Sequence, residues 1–315
     1  MKQIKKIKVI DQVITDKYSL YHGDSCEVLK GIPDNSIHYS IFSPPFASLY
    51  TYTNSDRDLG NCNNHSEFYQ HFIFIAKELQ RIIMTGRLVS IHCMDLPTTY
   101  TKDGYIGLVD FPGDIIRMFQ EVGFVYHSKV VIWKDPLIAA VRTKTIGLLH
   151  KQVMKDSAMC RQGLPDYLIT FRKLGDNIEP VSHPEGFTNF IGDKELKLNK
   201  SDVYSHHVWR KYASPVWMDI NQSDTLQYRS ARTEKDEKHI CPLQLGVIRR
   251  ALELWTNKND VVLSPFGGIG SEPVTAIEMD RKAIAIELKE SYFKQMKANC
   301  KNAELKKKNT GLLDE

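Results

Sequence analysis

The sequence predicts an α/β fold in which a mostly parallel sheet carries helices on both faces. Three observations predict it. Seven short apolar or alternating runs read as strands. Most are followed by stretches with apolar residues at three-to-four spacing, the mark of amphipathic helices. No cysteine framework or long apolar segment offers a different class. With 315 residues the chain can form one large domain with an insertion, or two domains.

The first strand is Ser19–His22, ending in Gly23-Asp24, and a helix follows from Ser25 to Gly31. The second strand, Ile37–Phe42, runs into Ser43 and is stopped by Pro44 and Pro45, which cannot continue a buried strand. Residues 47–65 form a polar loop long enough to close over whatever that strand end holds. Phe68, Phe72, Ile75, Leu79 and Ile82 place a helix over 66–84, ended by Gly86. A third strand spans Leu88–Cys93, and a helix spans 114–123. The fourth and fifth strands are Lys129–Lys134 and Tyr167–Arg172. From Leu174 to about Lys238 periodicity fades and Gly, Asn, Asp, His and Pro become frequent, which predicts an insertion. Order returns with a helix carrying Leu245, Ile248, Leu252 and Trp255. The sixth and seventh strands are Asp260–Leu263 and Ala283–Glu287. His38 and His92 lie inside strands and read as structural residues or supporting contacts.

Apolar residues make up 42% and charged residues 25%, ordinary values for a soluble globular chain. A net charge of +4 permits a polyanionic partner without requiring one. Cys26, Cys62, Cys93, Cys160, Cys241 and Cys300 are scattered with no C-x-x-C, as expected of reduced thiols in a cytoplasmic protein. Cys62 and His65 lack a second ligand pair, so no metal site is expected. Neither a membrane span nor a signal peptide is expected. The basic start, Met1–Lys8, reads as a solvated arm, and the tail from Lys301, with Lys306, Lys307 and Lys308, reads as flexible.

Two stretches carry chemistry. Ser43-Pro44-Pro45-Phe46 closes a strand with a hydroxyl, a carbonyl fixed by its proline ring and an aromatic face. These suit a planar heterocycle with an exocyclic amine, such as a flipped nucleobase. Far along the chain, Ser264-Pro265-Phe266-Gly267-Gly268-Ile269-Gly270-Ser271 joins a strand to a helix, and Glu287 ends the next strand. Glycines there let backbone approach a ligand, and an acid at the second strand end can take ribose hydroxyls. The spacing is not G-x-G-x-x-G, and no Lys-Ser or Lys-Thr pair follows, which disfavours a dinucleotide or a phosphate loop. A nucleoside without phosphates is left.

Taken together, S-P-P-F and P-F-G-G-I-G-S resemble the motifs of the permuted (beta-class) DNA amino-methyltransferases, in which the catalytic motif precedes the cofactor motif. The resemblance covers roughly residues 17–173 and 239–300. It implies a seven-stranded, mostly parallel, Rossmann-like sheet with one antiparallel strand. The sixth and seventh strands of the chain would open the cofactor half. It implies S-adenosylmethionine as cofactor, with Phe266, Gly268, Gly270 and Ser271 around its methionine part, Glu287 at the ribose and Asp24 at the adenine. His239 and Pro242 would pack on the cofactor. Ser43 and the Pro44 carbonyl would bind the target amine, with Pro45 shaping the turn and Phe46 stacking on the flipped base. Two positions depart from the family: Ser264 stands where Asp is frequent, and Phe46 where Tyr is frequent. Ser at the first motif position favours cytosine N4, with adenine N6 the alternative.

The resemblance divides the chain into a catalytic half (1–173), an insertion for target recognition (174–238), a cofactor half (239–300) and a tail (301–315). Arg142, Lys144, Lys200, Arg210 and Lys211, interleaved with aromatics, are the expected contacts to double-stranded DNA. A restriction endonuclease is a conceivable partner; a membrane is not. Two other classes stay open at this stage: a dinucleotide-dependent oxidoreductase and a non-catalytic nucleic-acid-binding protein.

Overall fold

A computed structural model describes residues 9–45, 65–98, 100–138, 153–159, 162–183, 209–227 and 243–311. In chain order the elements are β1 (Asp11–Ile14), β2 (Tyr18–His22), α1 (Ser25–Leu29), β3 (Ile37–Phe42), α2 (His65–Ile82), β4 (Ile83–Cys93), β5 (Leu96–Pro97), α3 (Tyr100–Asp103), β6 (Leu108–Val109) and α4 (Phe111–Glu121). They continue with β7 (Phe124–Ile132), β8 (Asp166–Lys173), β9 (Val216–Trp217), α5 (Leu245–Trp255), β10 (Val261–Ser264), α6 (Ser271–Glu278), β11 (Lys282–Glu287) and α7 (Glu290–Gly311). One sheet has the order β1-β2-β11-β10-β3-β4-β8-β7-β9. β2, β11, β10, β3 and β4 are mutually parallel, while β8 is antiparallel to both its neighbours. The inner seven strands are the expected sheet with its one antiparallel member. Strands β10 and β11, late in the sequence, sit between β2 and β3, as a permuted order requires.

Period-two alternation sorts the side chains onto two cores. Phe42, Leu263, Ile284 and Ile286 face α2 and α4, where Phe68, Phe72, Ile75, Leu79, Ile115 and Phe119 are buried. Tyr39, Ile41, Val262, Ala283 and Ala285 face the other layer with Ile248, Leu252, Val274, Phe293 and Met296. Each fully buried ring or branched aliphatic contributes about 1.5–3 kcal/mol. Among the described residues no helix is long and apolar enough to cross a membrane.

The structure corrects the sequence reading in four places. Among the described residues the sheet has nine strands, not seven. β1 pairs antiparallel with β2, and its exposed edge sequence Asp11-Gln12-Val13-Ile14 carries too little apolar pattern to read as a strand. β9 adds the other edge, parallel to β7. Second, the fourth strand begins at Phe124, well before Lys129, because Phe124 seals the core against Phe119 and Phe171. Third, residues 301–311 continue α7 where a flexible tail was expected. Ala303 is buried, and Lys307 Nζ donates to the Glu278 carbonyl at 3.0 Å and pairs with Asp280, capping the end of α6. Fourth, the described parts of 174–238 belong to the sheet domain. Asn177 lies against Gly86, whose φ is +74°, so closely that a Cβ on Gly86 would meet the Asn177 nitrogen at 2.6 Å. Trp217 is fully buried, and Asp219 receives a bidentate hydrogen bond from Arg250 of α5 at 3.0 and 2.7 Å. Residues 1–8, 46–64, 139–152, 184–208, 228–242 and 312–315 lie outside the described residues, the expected arm and polar loop among them.

Candidate active site

The parallel strands deliver the motif residues to one edge of the sheet. β2, β3, β10 and β11 end there at His22, Phe42, Ser264 and Glu287, with Gly23 and Ser43 next in the chain, and β4 ends there at Cys93. β10 is flanked by β11 on one side and β3 on the other, so the chain's strand order reverses at its end. In open parallel sheets that reversal opens the ligand crevice.

The glycine loop is built by backbone contacts. Gly267 N donates to the Ile286 carbonyl at 2.7 Å, and Gly270 N donates to the Gly267 carbonyl at 2.8 Å. A Cβ on Gly267 would stand 2.8 Å from Met296 Sδ and 3.1 Å from the Ala285 Cβ, so glycine lets the loop seat closely on α7 and β11. A Cβ on Gly268, at φ +52°, would meet nothing within 4 Å, so this backbone faces open space. Gly270, at φ +98°, turns the chain into α6, and Ser271 is buried at its start. Phe266 is partly buried, its ring 5.6 Å from Phe42 and 6.1 Å from Phe72. That contact joins the glycine loop to the strand ending at Ser43.

Acids ring the loop. Glu287 Oε2 accepts from Gly268 N at 2.8 Å and Oε1 from Lys289 N at 2.7 Å. Asp24 caps α1 by accepting from Cys26 N at 2.8 Å, and Gly23 N donates to the Glu287 carbonyl at 3.0 Å, so β2 and β11 end side by side. Glu272, which sequence reasoning did not single out, is buried in the first turn of α6. Burial pushes its carboxyl up to about 8, with the Glu287 charge adding to the effect and its own backbone N–H opposing it. The Ser264 hydroxyl, in the family's Asp position, is buried with no hydrogen-bond partner among the described residues. An open glycine backbone, the Ser264 hydroxyl and the Glu287 and Asp24 carboxylates fit a nucleoside that carries positive charge.

At the neighbouring strand end, Ser43 Oγ lies 2.9 Å from His92 Nδ1. His92 Nε2 lies 3.0 Å from Asp166 Oδ2, an ionic approach without the alignment of a well-formed hydrogen bond. Asp166 Oδ1 accepts from Lys134 Nζ at 2.5 Å. Burial pushes the Asp166 carboxyl up, but His92 and then Lys134 outweigh it and hold it below the usual range. Pro44 is buried and Pro45 half-buried, so the turn is rigid. Strand pairing makes this cluster: His92 lies one residue before the end of β4, beside β3, which leads into Ser43, and Asp166 opens the antiparallel β8 at the same edge.

The structure therefore brings together Ser43, Pro44, Pro45, Asp24, Phe266, Gly268, Gly270, Ser271 and Glu287. Phe46, His239, Pro242, Arg142, Lys144 and Lys200 lie outside the described residues. Arg210 is exposed, whereas Lys211 is tied to Asp219 at 3.2 Å.

The profile of the DNA methylase family (N6 and N4 methyltransferases) matches residues 37–298, most of the chain, and the chain belongs to that family. Among characterised relatives, the Type II methyltransferase M.BglII of Bacillus subtilis is 23% identical over 280 residues, covering 87% of this chain and 66% of its own. M.BamHI of Bacillus amyloliquefaciens is 23% identical over 300 residues, 94% of this chain and 60% of its own. The chain thus spans less than two thirds of the length of these two relatives. M.PvuII of Proteus hauseri is 24% identical over 299 residues, 88% of this chain and 82% of its own. Two solved structures share the fold. The PvuII DNA methyltransferase, cytosine-N4-specific, superposes with a TM-score of 0.61 at 18% identity, covering 93% of this chain and 90% of its own. A DNA modification methylase of Thermus thermophilus, solved in complex with S-adenosyl-L-methionine, gives 0.62 at 20% identity over 90% and 93%.

Proposed function

We propose that this chain methylates duplex DNA, transferring a methyl group from S-adenosylmethionine to the exocyclic amine of a flipped base, with cytosine N4 as the target. The observation that carries the reading is the junction of the two motifs. Ser43-Pro44-Pro45 and the Phe266 glycine loop meet through the Phe42–Phe266 contact at one strand edge. Gly268, Gly270 and Ser271 would hold the methionine part of the cofactor, Glu287 the ribose and Asp24 the adenine. When bound, the cofactor supplies an electrophilic methyl group on a sulfonium. The chain's own work is on the amine, whose lone pair is delocalised into the ring. Ser43 Oγ and the Pro44 carbonyl accept its N–H groups, drawing the lone pair back onto nitrogen and aiming it. The rigid diproline turn holds those acceptors in place without reorganisation.

Ser43 at the first motif position supports cytosine N4 over adenine N6, and the PvuII enzyme with the same fold is cytosine-N4-specific by its description. Arg210 and the rest of the 174–238 insertion would contact DNA and read the target sequence. The Type II relatives suggest a companion restriction endonuclease for the same site. Incubating the protein with mixed-sequence duplex DNA and labelled cofactor, then identifying modified nucleosides by mass spectrometry, tests the reading. N4-methylcytosine is expected. N6-methyladenine would overturn the choice of base, and no modified nucleoside despite cofactor binding would overturn the activity.

A further inference from the structure

The Ser43 hydroxyl is not free to rotate. Asp166 is 2% exposed, and its carboxylate faces Lys134 Nζ at 2.5 Å and His92 Nε2 at 3.0 Å. A buried carboxylate accepts and cannot donate, so the ring nitrogen facing it carries the proton. In the neutral imidazole Nδ1 is then the acceptor, and Ser43 Oγ, 2.9 Å away, must give it its hydrogen. A hydroxyl that donates inward keeps both lone pairs for a second partner.

We propose that His92 is a positioning residue that fixes Ser43 as a pure acceptor for the target amine and receives, through Ser43, the proton that methyl transfer releases. The inference rests on Ser43 being the amine's acceptor. The step balances. The nitrogen lone pair forms the new N–C bond, and the C–S pair returns to sulfur. One N–H proton passes to Ser43 Oγ while the Ser43 proton passes to His92 Nδ1, and the N–H pair stays on nitrogen. The imidazolium so formed faces the Asp166 carboxylate, and its proton later leaves to water. The charged groups facing this ring are Asp166 on β8 and, through it, Lys134 beyond β7; Cys93 and Asp95 follow in the chain at the end of β4. Burial, then Asp166 and Asp95, hold the Cys93 thiol far above its ordinary value, so it stays neutral and does not compete. Asp95 is engaged by the Tyr167 hydroxyl at 3.1 Å.

Single-turnover methyl transfer and the histidine tautomer test this together. His92→Ala should slow single-turnover transfer at least about 10²-fold, the usual worth of a positioned base, with cofactor and DNA affinity unchanged. His92→Asn places an amide near the Nδ1 position. It should recover part of the rate. In a Ser43→Ala background, His92→Ala should cost little more, because the two act as one unit. A wild-type rate in His92→Ala, no recovery in His92→Asn, or additive losses would overturn the proposal. If His92→Ala fails to fold, ¹⁵N-histidine NMR of the unsubstituted protein decides without any activity. The Nε2–H tautomer with a lone pair on Nδ1 is expected, and an Nδ1–H tautomer overturns it. A protein with the expected tautomer that methylates no DNA would instead count against the function, not against the geometry.

Discussion

His38 and His92 are both strand histidines that sit among acids and bases, at opposite ends of the same sheet. At the start of β3, His38 Nδ1 accepts from Val261 N at 3.0 Å and Nε2 lies 3.0 Å from Glu179. Asp260, 3.7 Å from that nitrogen, is held by Arg87, which also donates to the His38 and Glu179 carbonyls at 3.0 and 2.8 Å. Both ring nitrogens there are engaged within the protein. The ligand atoms of His38, Glu179 and Asp260 lie within 4.8 Å of one another. Even so, a ring whose Nδ1 accepts a backbone N–H keeps its proton on Nε2 and has no lone pair for a metal. At the end of β4, His92 instead spends Nδ1 on a hydroxyl at the mouth of the crevice. The same residue types lock the sheet at one end and serve its chemistry at the other, and the direction of the strands decides which.

The comparison can be broken most sharply by rates. His92→Asn should lower single-turnover methylation at saturating cofactor and DNA by at least about tenfold, whereas His38→Asn should leave the rate per folded molecule unchanged. Equal losses would erase the distinction. Stability should show the reverse. Asp260→Ala strands the Arg87 charge, which is 2% exposed, and should cost about 3–5 kcal/mol in denaturant unfolding. A loss under about 1 kcal/mol would mean that the pair contributes no more than a surface contact.

Glu272 sharpens the contrast through pH. Its folded carboxyl, pushed up to about 8 from the model-compound value of 4.5, keeps a proton that the unfolded chain releases. Its contribution to stability is therefore full below the unfolded value and is lost as pH rises through about 8. Glu272→Gln should be more stable than the parent at alkaline pH, on the order of a few kcal/mol, and the gap should close near pH 4. Identical pH slopes for parent and variant would contradict the burial argument. The smallest effect expected is at the edge beyond β7. Arg210→Ala should weaken DNA binding modestly and reduce the salt slope by about one, the signature of a lost phosphate contact. An unchanged salt dependence would remove Arg210 from the interface.

Much of this was legible in the sequence because buried parallel strands announce themselves. Ile37–Phe42, Val261–Leu263 and Ala283–Ile286 are apolar on both faces, and the motifs stand at their ends. β1 was not legible because an exposed edge strand has no buried face to pattern. The helical end of α7 was hidden by its lysines, of which Lys307 caps α6 and Lys308 pairs with Glu304 at 3.0 Å. The His92–Asp166 contact was out of reach for another reason. It depends on β8 running antiparallel beside β4, with Cys93 opposite Tyr167, and no local pattern encodes which strands become neighbours. His38 and His92 therefore look alike until the sheet is assembled.

The central claim is that one crevice at the carboxyl ends of the strands carries methyl transfer, with Ser43 as the acceptor for the amine. Its most direct test is Ser43→Ala, measured for S-adenosylmethionine affinity and for methyl incorporation into the same duplex DNA. We expect affinity to hold while incorporation falls by about 10²-fold or more. Full incorporation by the variant would contradict the claim.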